Sequence, residues 1–279
     1  MSRSTLSTFT ASDGDNIAVH DWPAADERRQ RGVVILVHGL GEHAGRHDGL
    51  AQRLNDWGFA VRGHDHYGHG ESGGPRGGVT VARRLVHDLA EIVDSTRRRT
   101  PRELPLVLLG HSMGGLVAAS YAAEHPRAVD GLVLSSPALA PRLGPLQRLL
   151  LSTLPRLAPD LRVGSGLDPR WLSRDPQVQR DYRADPLVHD RISARLAGFI
   201  ADEGQRVLAK AAGWSVPTLL LYAGSDRLVD PAGSHAFAEA APDAVVRSCC
   251  FEPLYHEIFN EPESSKVYEA LQRWLDDRY

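Results

Sequence analysis

The segment Leu108-Leu109-Gly110-His111-Ser112-Met113-Gly114-Gly115 constrains this chain more than any other stretch of its 279 residues. An apolar run of the kind buried on both faces of a sheet enters G-x-S-x-G and continues into a helical pattern starting at Met113. Gly110 and Gly114 have no Cβ, so the chain can turn sharply, lift the Ser112 hydroxyl above the sheet and aim the Met113 amide at an oxygen beside it. An N-capping serine in a glycine-rich turn is the alternative reading; the flanking strand and helix favour a nucleophile. A serine hydroxyl attacks poorly unless a base takes its proton, so such a turn calls for a histidine and an acid later in the chain.

The rest of the pattern supplies a scaffold for that turn. Thr5 to Pro23 alternates around Asp13-Gly14, which predicts an antiparallel hairpin. Short apolar runs at 32–37, 59–61, 106–109, 132–134, 218–222 and 245–251 then alternate with helical patterns at 50–57, 80–99, 113–125, 231–241 and 262–277, with Pro262 at a helix start. Strand-helix alternation of this kind implies an α/β fold with a mostly parallel, doubly wound sheet and chemistry at the carboxyl ends of its strands. The alternation lapses from Pro137 to about Trp214, too long for a plain connection, and predicts an inserted helical cap. The expected organisation is a catalytic core of 1–136 and 215–279 with the cap at 137–214.

The acid and base follow from position. Thr218 to Tyr222 runs into Ala223-Gly224-Ser225-Asp226, which puts Asp226 just beyond a strand's carboxyl end. Asp230 precedes Pro231 and reads as a helix cap. Of the 13 histidines only His235 and His256 come after Asp226; His235 falls inside a helical pattern, whereas His256 follows the last strand on a loop. Ser112, Asp226 and His256 are therefore the expected nucleophile, orienting acid and base. The loop His38-Gly39-Leu40-Gly41 after the strand at 33–37 has the form that supplies a second oxyanion amide, so Leu40 and Met113 are the expected backbone donors.

Two other readings compete. Gly39-Leu40-Gly41-Glu42-His43-Ala44 fits G-x-G-x-x-A and Asp65 closes the next strand, as in a nucleotide-binding oxidoreductase, but that fold leaves the later serine turn and its ordered acid and base unexplained. The histidines of His64-Asp65-His66-Tyr67-Gly68-His69 invite a metal; their place in a glycine-rich loop favours loop structure, and no metal or organic cofactor is expected. A formal net charge of −3, with Arg97, Arg98 and Arg99 as the lone basic run, argues against a nucleic-acid partner. Cys249 and Cys250 are adjacent in an expected strand and so point to opposite faces, which disfavours a disulfide framework. With neither a signal-like N-terminus nor a membrane-spanning run, the expectation is a cytoplasmic enzyme, peripheral membrane contact being left open.

Together, Val37-His38-Gly39-Leu40-Gly41-Glu42-His43, Asp65-His66-Tyr67-Gly68-His69-Gly70-Glu71-Ser72, the Gly110 to Gly115 turn, Gly224-Ser225-Asp226-Arg227-Leu228 and Tyr255-His256-Glu257 resemble the monoacylglycerol lipase family of α/β-hydrolases. The resemblance extends into the cap at Leu172-Ser173-Arg174-Asp175 and Tyr182-Arg183-Ala184-Asp185-Pro186-Leu187. It implies hydrolysis of a single-chain lipid ester, foremost monoacylglycerol, with lysophospholipase and general carboxylesterase as alternatives and a non-catalytic receptor on the same fold as a remote one. It also implies that Glu42 and Arg46 line a glycerol site, against an ordinary ion pair at a helix start. Phe259 stands where some relatives carry a second histidine. In the cap, Leu146, Leu149, Leu150 and Leu154 share a helical stripe, broadened by Leu151 and Leu157. That stripe either packs inside the cap or, with Leu150 central to it, lines an acyl tunnel or dips into a membrane or micelle surface.

Overall fold

The computed structural model describes every residue except 1–3, 25, 27–28, 141, 143, 145–150 and 152. Asp13-Gly14 turns the chain between β1 (Thr5–Thr10) and β2 (Asn16–Trp22), which pair antiparallel. Then β3 (Gly32–Val37), α1 (Asp48–Asp56), β4 (Phe59–His64), α2 (Arg84–Arg99), β5 (Leu106–His111), α3 (Met113–Glu124) and β6 (Gly131–Ser135) alternate as the apolar runs require. After an insertion, β9 (Thr218–Ala223), α6 (Pro231–Ala240), β10 (Val246–Phe251) and α7 (Ser265–Asp276) resume the alternation. The eight strands of the main sheet lie in the order β1-β2-β4-β3-β5-β6-β9-β10, parallel from β4 onward.

Because side chains alternate along a strand, each buried strand feeds two cores. Ile35, Leu108, Leu134 and Leu220 meet α2 and α3 on one face through Leu89, Ile92, Leu116 and Val117. Val34, Leu109, Val133 and Leu221 meet α1 and α7 on the other through Leu50, Leu54, Leu271 and Trp274. Cys249 packs partly against this second cluster while Cys250 is exposed, and both are free thiols.

Two helix starts and the make-up of the insertion differ from expectation. α2 begins at Arg84 rather than Thr80, with Arg84 drawn to Asp13 and Asp15 of the hairpin turn and to Asp88 one helical turn on. α7 begins at Ser265 because Ser264 N–H closes a turn onto the Glu261 carbonyl, which leaves Pro262 ahead of the helix. The insertion is not purely helical: β7 (Arg162–Gly164) and β8 (Arg191–Ser193) pair antiparallel around α4 (Pro176–Ala184). Its last helix, α5 (Ala194–Lys210), buries Leu196, Phe199 and Val207 in the same cluster as α3. Leu146, Leu149 and Leu150 lie outside the described residues.

His64 ends β4, and His66 and His69 are tied into the loop that follows it. His66 N–H donates to His38 Nε2 at 2.9 Å, which leaves the His38 proton on Nδ1, donated to the Gly39 carbonyl at 2.7 Å. His66 Nε2 binds the His38 carbonyl at 3.1 Å and His69 Nδ1 the Tyr67 carbonyl at 3.2 Å. Asp65 is fully buried and accepts from the amides of Ala44 and Glu71, so it presents no carboxylate to a ribose. Among the described residues no group of three or more His, Cys, Asp or Glu is arranged to hold a metal ion.

Burial without charge makes this arrangement acid-sensitive. Desolvation holds His64 and His111 at a pKa of about 4 and His66 at about 3, and pulls His38 and His69 well below the ordinary value. Such groups bind protons near pH 6.5 when unfolded but not when folded, so stability falls as pH drops below ~6.5, roughly 1 kcal/mol per pH unit for each histidine until its folded pKa is reached. Asp88, raised by burial to about 6, acts in the opposite direction. Denaturant unfolding at pH 7, 6 and 5 should therefore show steep weakening below pH 6.5, with net uptake of about four protons on unfolding at pH 5, five by the histidines less one from Asp88. A flat profile across this range would contradict the assignment of these rings as buried and neutral.

Candidate active site

Ser112 stands between β5 and α3 at φ 55° and ψ −122°, a backbone conformation that a side-chain-bearing residue adopts only when its surroundings enforce it. The enforcement is local. Ser112 N–H donates to the Ser135 carbonyl at 2.9 Å, and its own carbonyl accepts from Leu116 and Ala138. A Cβ on Gly110 would come within 2.5 Å of the Gly114 carbonyl oxygen, and one on Gly114 would strike the carbonyls of Val37 and His38, so only glycine allows the turn to close. Met113 is the first residue of α3, where an amide has no partner within the helix.

Asp226 follows β9 and His256 follows β10, and the parallel register of those neighbouring strands brings both loops to the same sheet edge. His256 Nδ1 lies 2.6 Å from Asp226 Oδ2, with both side chains buried. An ionised carboxylate only accepts, so Nδ1 carries a proton donated to it, which leaves Nε2 as the nitrogen that gains or loses the other. Asp226 Oδ1 accepts from the amides of Leu228 and Val229 at 2.9 and 3.0 Å. Burial pushes the Asp226 pKa up, but His256 and these amides outweigh it and the net shift is downward. For His256 burial pushes down, and Asp226 outweighs it to leave the pKa raised. Asp230 caps α6 through the Ala232 amide, and His235 is exposed beside Glu239.

The loop after β3 is held from inside the fold. Because the Gly39 carbonyl binds the His38 ring, the Leu40 N–H of that same trans peptide is directed away from the ring. Gly39 N–H donates to Glu42 Oε1 at 2.7 Å. Glu42 Oε2 accepts from Arg46 at 2.5 Å, and Arg46 also forks onto Glu257 at 2.8 and 3.0 Å. The Tyr182 ring covers the guanidinium at 4.6 Å. Burial works against both carboxylates being charged; for Glu42, His47 and Arg46 outweigh it, and for Glu257, Arg46 does, so both pKa values fall. Glu42 and Arg46 are thus an ion pair and cavity residues at once.

Ser112, His256, Leu40, Met113, Glu42 and Arg46 all line one cavity of about 310 Å³. Glu257, Tyr182 and His111 complete its polar end, while Leu151, Leu154, Leu161, Val163, Leu167 and Ile200 from the insertion form much of its apolar wall. Tyr182 and Glu257 stand inside the segments that carry the family resemblance, but nothing in their local pattern marked them as cavity residues. Phe259 is buried against Tyr268 at 5.1 Å and is not part of the wall. The insertion also braces the His256 loop: Glu257 N–H donates to the Leu172 carbonyl at 2.7 Å, Ser173 Oγ to the Asn260 carbonyl at 2.9 Å, and Arg174 to Glu261 at 2.5 Å. A serine at a strained turn, an imidazole held by a carboxylate and backbone amides at a helix start are the components of acyl transfer.

Residues 28–263 match the serine aminopeptidase S33 family of hydrolases. The chain is 36% identical to the monoacylglycerol lipase of Mycolicibacterium smegmatis over 272 residues, covering 96% of this chain and 95% of that protein. It is 33% identical to the human monoglyceride lipase over 254 residues, 89% of this chain and 83% of that one. Among solved structures, the monoacylglycerol lipase of Paleococcus ferrophilus superposes with a TM-score of 0.85 at 35% identity, covering 94% of this chain and 99% of that one. With its mostly parallel eight-stranded sheet and the serine turn after β5, the chain belongs to the monoacylglycerol lipase family of α/β-hydrolases, within the serine aminopeptidase S33 group.

Proposed function

We propose that this protein hydrolyses monoacylglycerol to glycerol and a free fatty acid through an acyl-enzyme on Ser112. The observation that carries this reading is a single cavity lined both by the clustered side chains of Glu42, Arg46 and Glu257 and by many apolar ones, with Ser112 and His256 on its wall. The acyl chain occupies the apolar side and the glycerol faces Glu42 and Arg46. Ser112 attacks the ester carbonyl while His256 Nε2 takes its proton, and the amides of Leu40 and Met113 hold the oxyanion. His256 then protonates the departing glycerol and activates a water that frees the fatty acid. Residues 137–214 act as a cap whose narrow apolar wall admits one chain and excludes a second. The names of the similar lipases support the choice of monoacylglycerol among esters.

Contact with a lipid surface is part of the proposal. Leu157 is 81% exposed, and Leu161 and Val163, each about half exposed, stand at the cavity wall. No helix among the described residues is long and apolar enough to cross a membrane, so attachment would be peripheral.

Ser112→Ala should leave a folded protein with ester turnover lowered on the order of 10⁴–10⁶-fold. Across monoacyl-, diacyl- and triacylglycerol, lysophospholipid, a peptide amide and p-nitrophenyl butyrate, kcat/KM should be greatest for long-chain monoacylglycerol; preference for lysophospholipid would overturn the substrate assignment. The base works only when neutral, so the low-pH limb of kcat/KM should lie above ~6.5. Asp226→Asn removes the charge that raises His256 and should move that limb toward acid while lowering kcat about 10⁴-fold. Asp230→Asn should alter stability alone, and the reverse result would identify Asp230 as the acid. Leu157→Asp should weaken co-sedimentation with liposomes at unchanged turnover of p-nitrophenyl butyrate; equal co-sedimentation would remove Leu157 from any membrane contact.

A further inference from the structure

We infer that Glu257 is a positioning residue for the oxyanion loop, acting through Arg46 and Glu42 on the Gly39 amide and so coupling the loop that carries His256 to the loop that carries Leu40. The inference rests on the acyl-transfer reading of Ser112, His256 and the Leu40 amide, and adds a residue to it. The link is a continuous chain of charge-assisted hydrogen bonds: Glu257 to Arg46 at 2.8 and 3.0 Å, Arg46 to Glu42 at 2.5 Å, and Glu42 to Gly39 N–H at 2.7 Å.

Both carboxylates of the chain have further partners, which limits their freedom. Glu257 Oε2 also accepts from Asn260 Nδ2 at 2.8 Å, and Glu42 Oε1 has His47 Nε2 at 3.2 Å. Glu42 and Glu257 are only 3% and 5% exposed. One guanidinium therefore serves two buried carboxylates, and its plane is fixed by the bidentate fork to Glu257 and by the Tyr182 ring. Without the Glu257 fork, Arg46 is free to rotate onto Glu42 alone. Glu42 then shifts, and the Gly39 amide it holds shifts with it. The next peptide bond carries the Leu40 N–H, and an oxyanion donor is effective only when its position is set before the charge develops. At its other end the chain is anchored by covalent adjacency to His256 and by the bond from Glu257 N–H to the Leu172 carbonyl at 2.7 Å.

A different role, direct contact between Glu257 and glycerol hydroxyls, makes an opposite prediction. Kinetics of Glu257→Gln on monoacylglycerol and on p-nitrophenyl butyrate, whose leaving group has no hydroxyl to bind, separate the two. Positioning predicts a fall in kcat of about tenfold on both substrates with KM nearly unchanged, and a slower p-nitrophenol burst of unaltered amplitude. Arg46→Lys keeps the charge but loses the planar bidentate fork to Glu257, and should reproduce the loss even if Glu257→Gln folds poorly. Combining Glu42→Gln with Glu257→Gln should cost no more than the worse single change, because both act through one chain. A loss confined to monoacylglycerol with a raised KM, full additivity, or unchanged kcat in Arg46→Lys would overturn the inference. Undiminished turnover in Ser112→Ala would instead overturn the acyl-enzyme reading on which it rests.

Discussion

The arrangement of this site depends on one tight crossing of backbones, where the turn at Ser112 passes against the end of β3. Gly110 and Gly114 leave no room for a Cβ, and Ser112 holds a positive φ because its amide and carbonyl are both tied into the surrounding turns. Strain of this kind persists only where the packing over-determines it. Here β5 is a central strand, buried on both faces and paired with β3 and β6, so the sheet supplies that packing. The same crossing brings the loop after β3 beside the first turn of α3.

Around that crossing, electrostatics is arranged by burial rather than by net charge. His111 and His256 are buried rings 4.8 Å apart, yet their pKa values move in opposite directions. Desolvation drives His111 down, while Asp226 outweighs the same penalty at His256. The nearer carboxylate decides which imidazole can gain a proton. Glu42 and Glu257 remain charged in the same wall because Arg46 lies between them, and burial of a carboxylate without such a partner would favour the neutral acid.

The insertion does more than line the cavity. Its Leu172 to Arg174 segment supports the His256 loop, its Tyr182 covers Arg46, and its Asp185 binds His43 at 2.8 Å. Its last helix is continuous with the main core through Leu196, Phe199 and Val207. A segment tied at so many points helps to shape the cavity that it lines.

Much of this was legible along the chain because the determinants are local. The apolar runs at 32–37, 106–109 and 218–222 specify strands by their own composition, and G-x-S-x-G between strand and helix specifies the serine turn through the absence of two Cβ atoms. Asp226 and His256 could be chosen by elimination, since Asp230 precedes a proline at a helix start and His235 sits within a helix. Where local rules ran out, the tertiary structure decided. The start of α7 moved past Pro262 because a turn onto the Glu261 carbonyl came first, and the insertion acquired a strand pair that its leucine-rich sequence did not announce. Glu257 looks like any loop glutamate until Arg46, 211 positions earlier, is brought within 2.8 Å of it. Periodicity and turn chemistry act over a few residues and can be read in order, whereas the partner of a buried charge is chosen by whichever side chain the fold delivers.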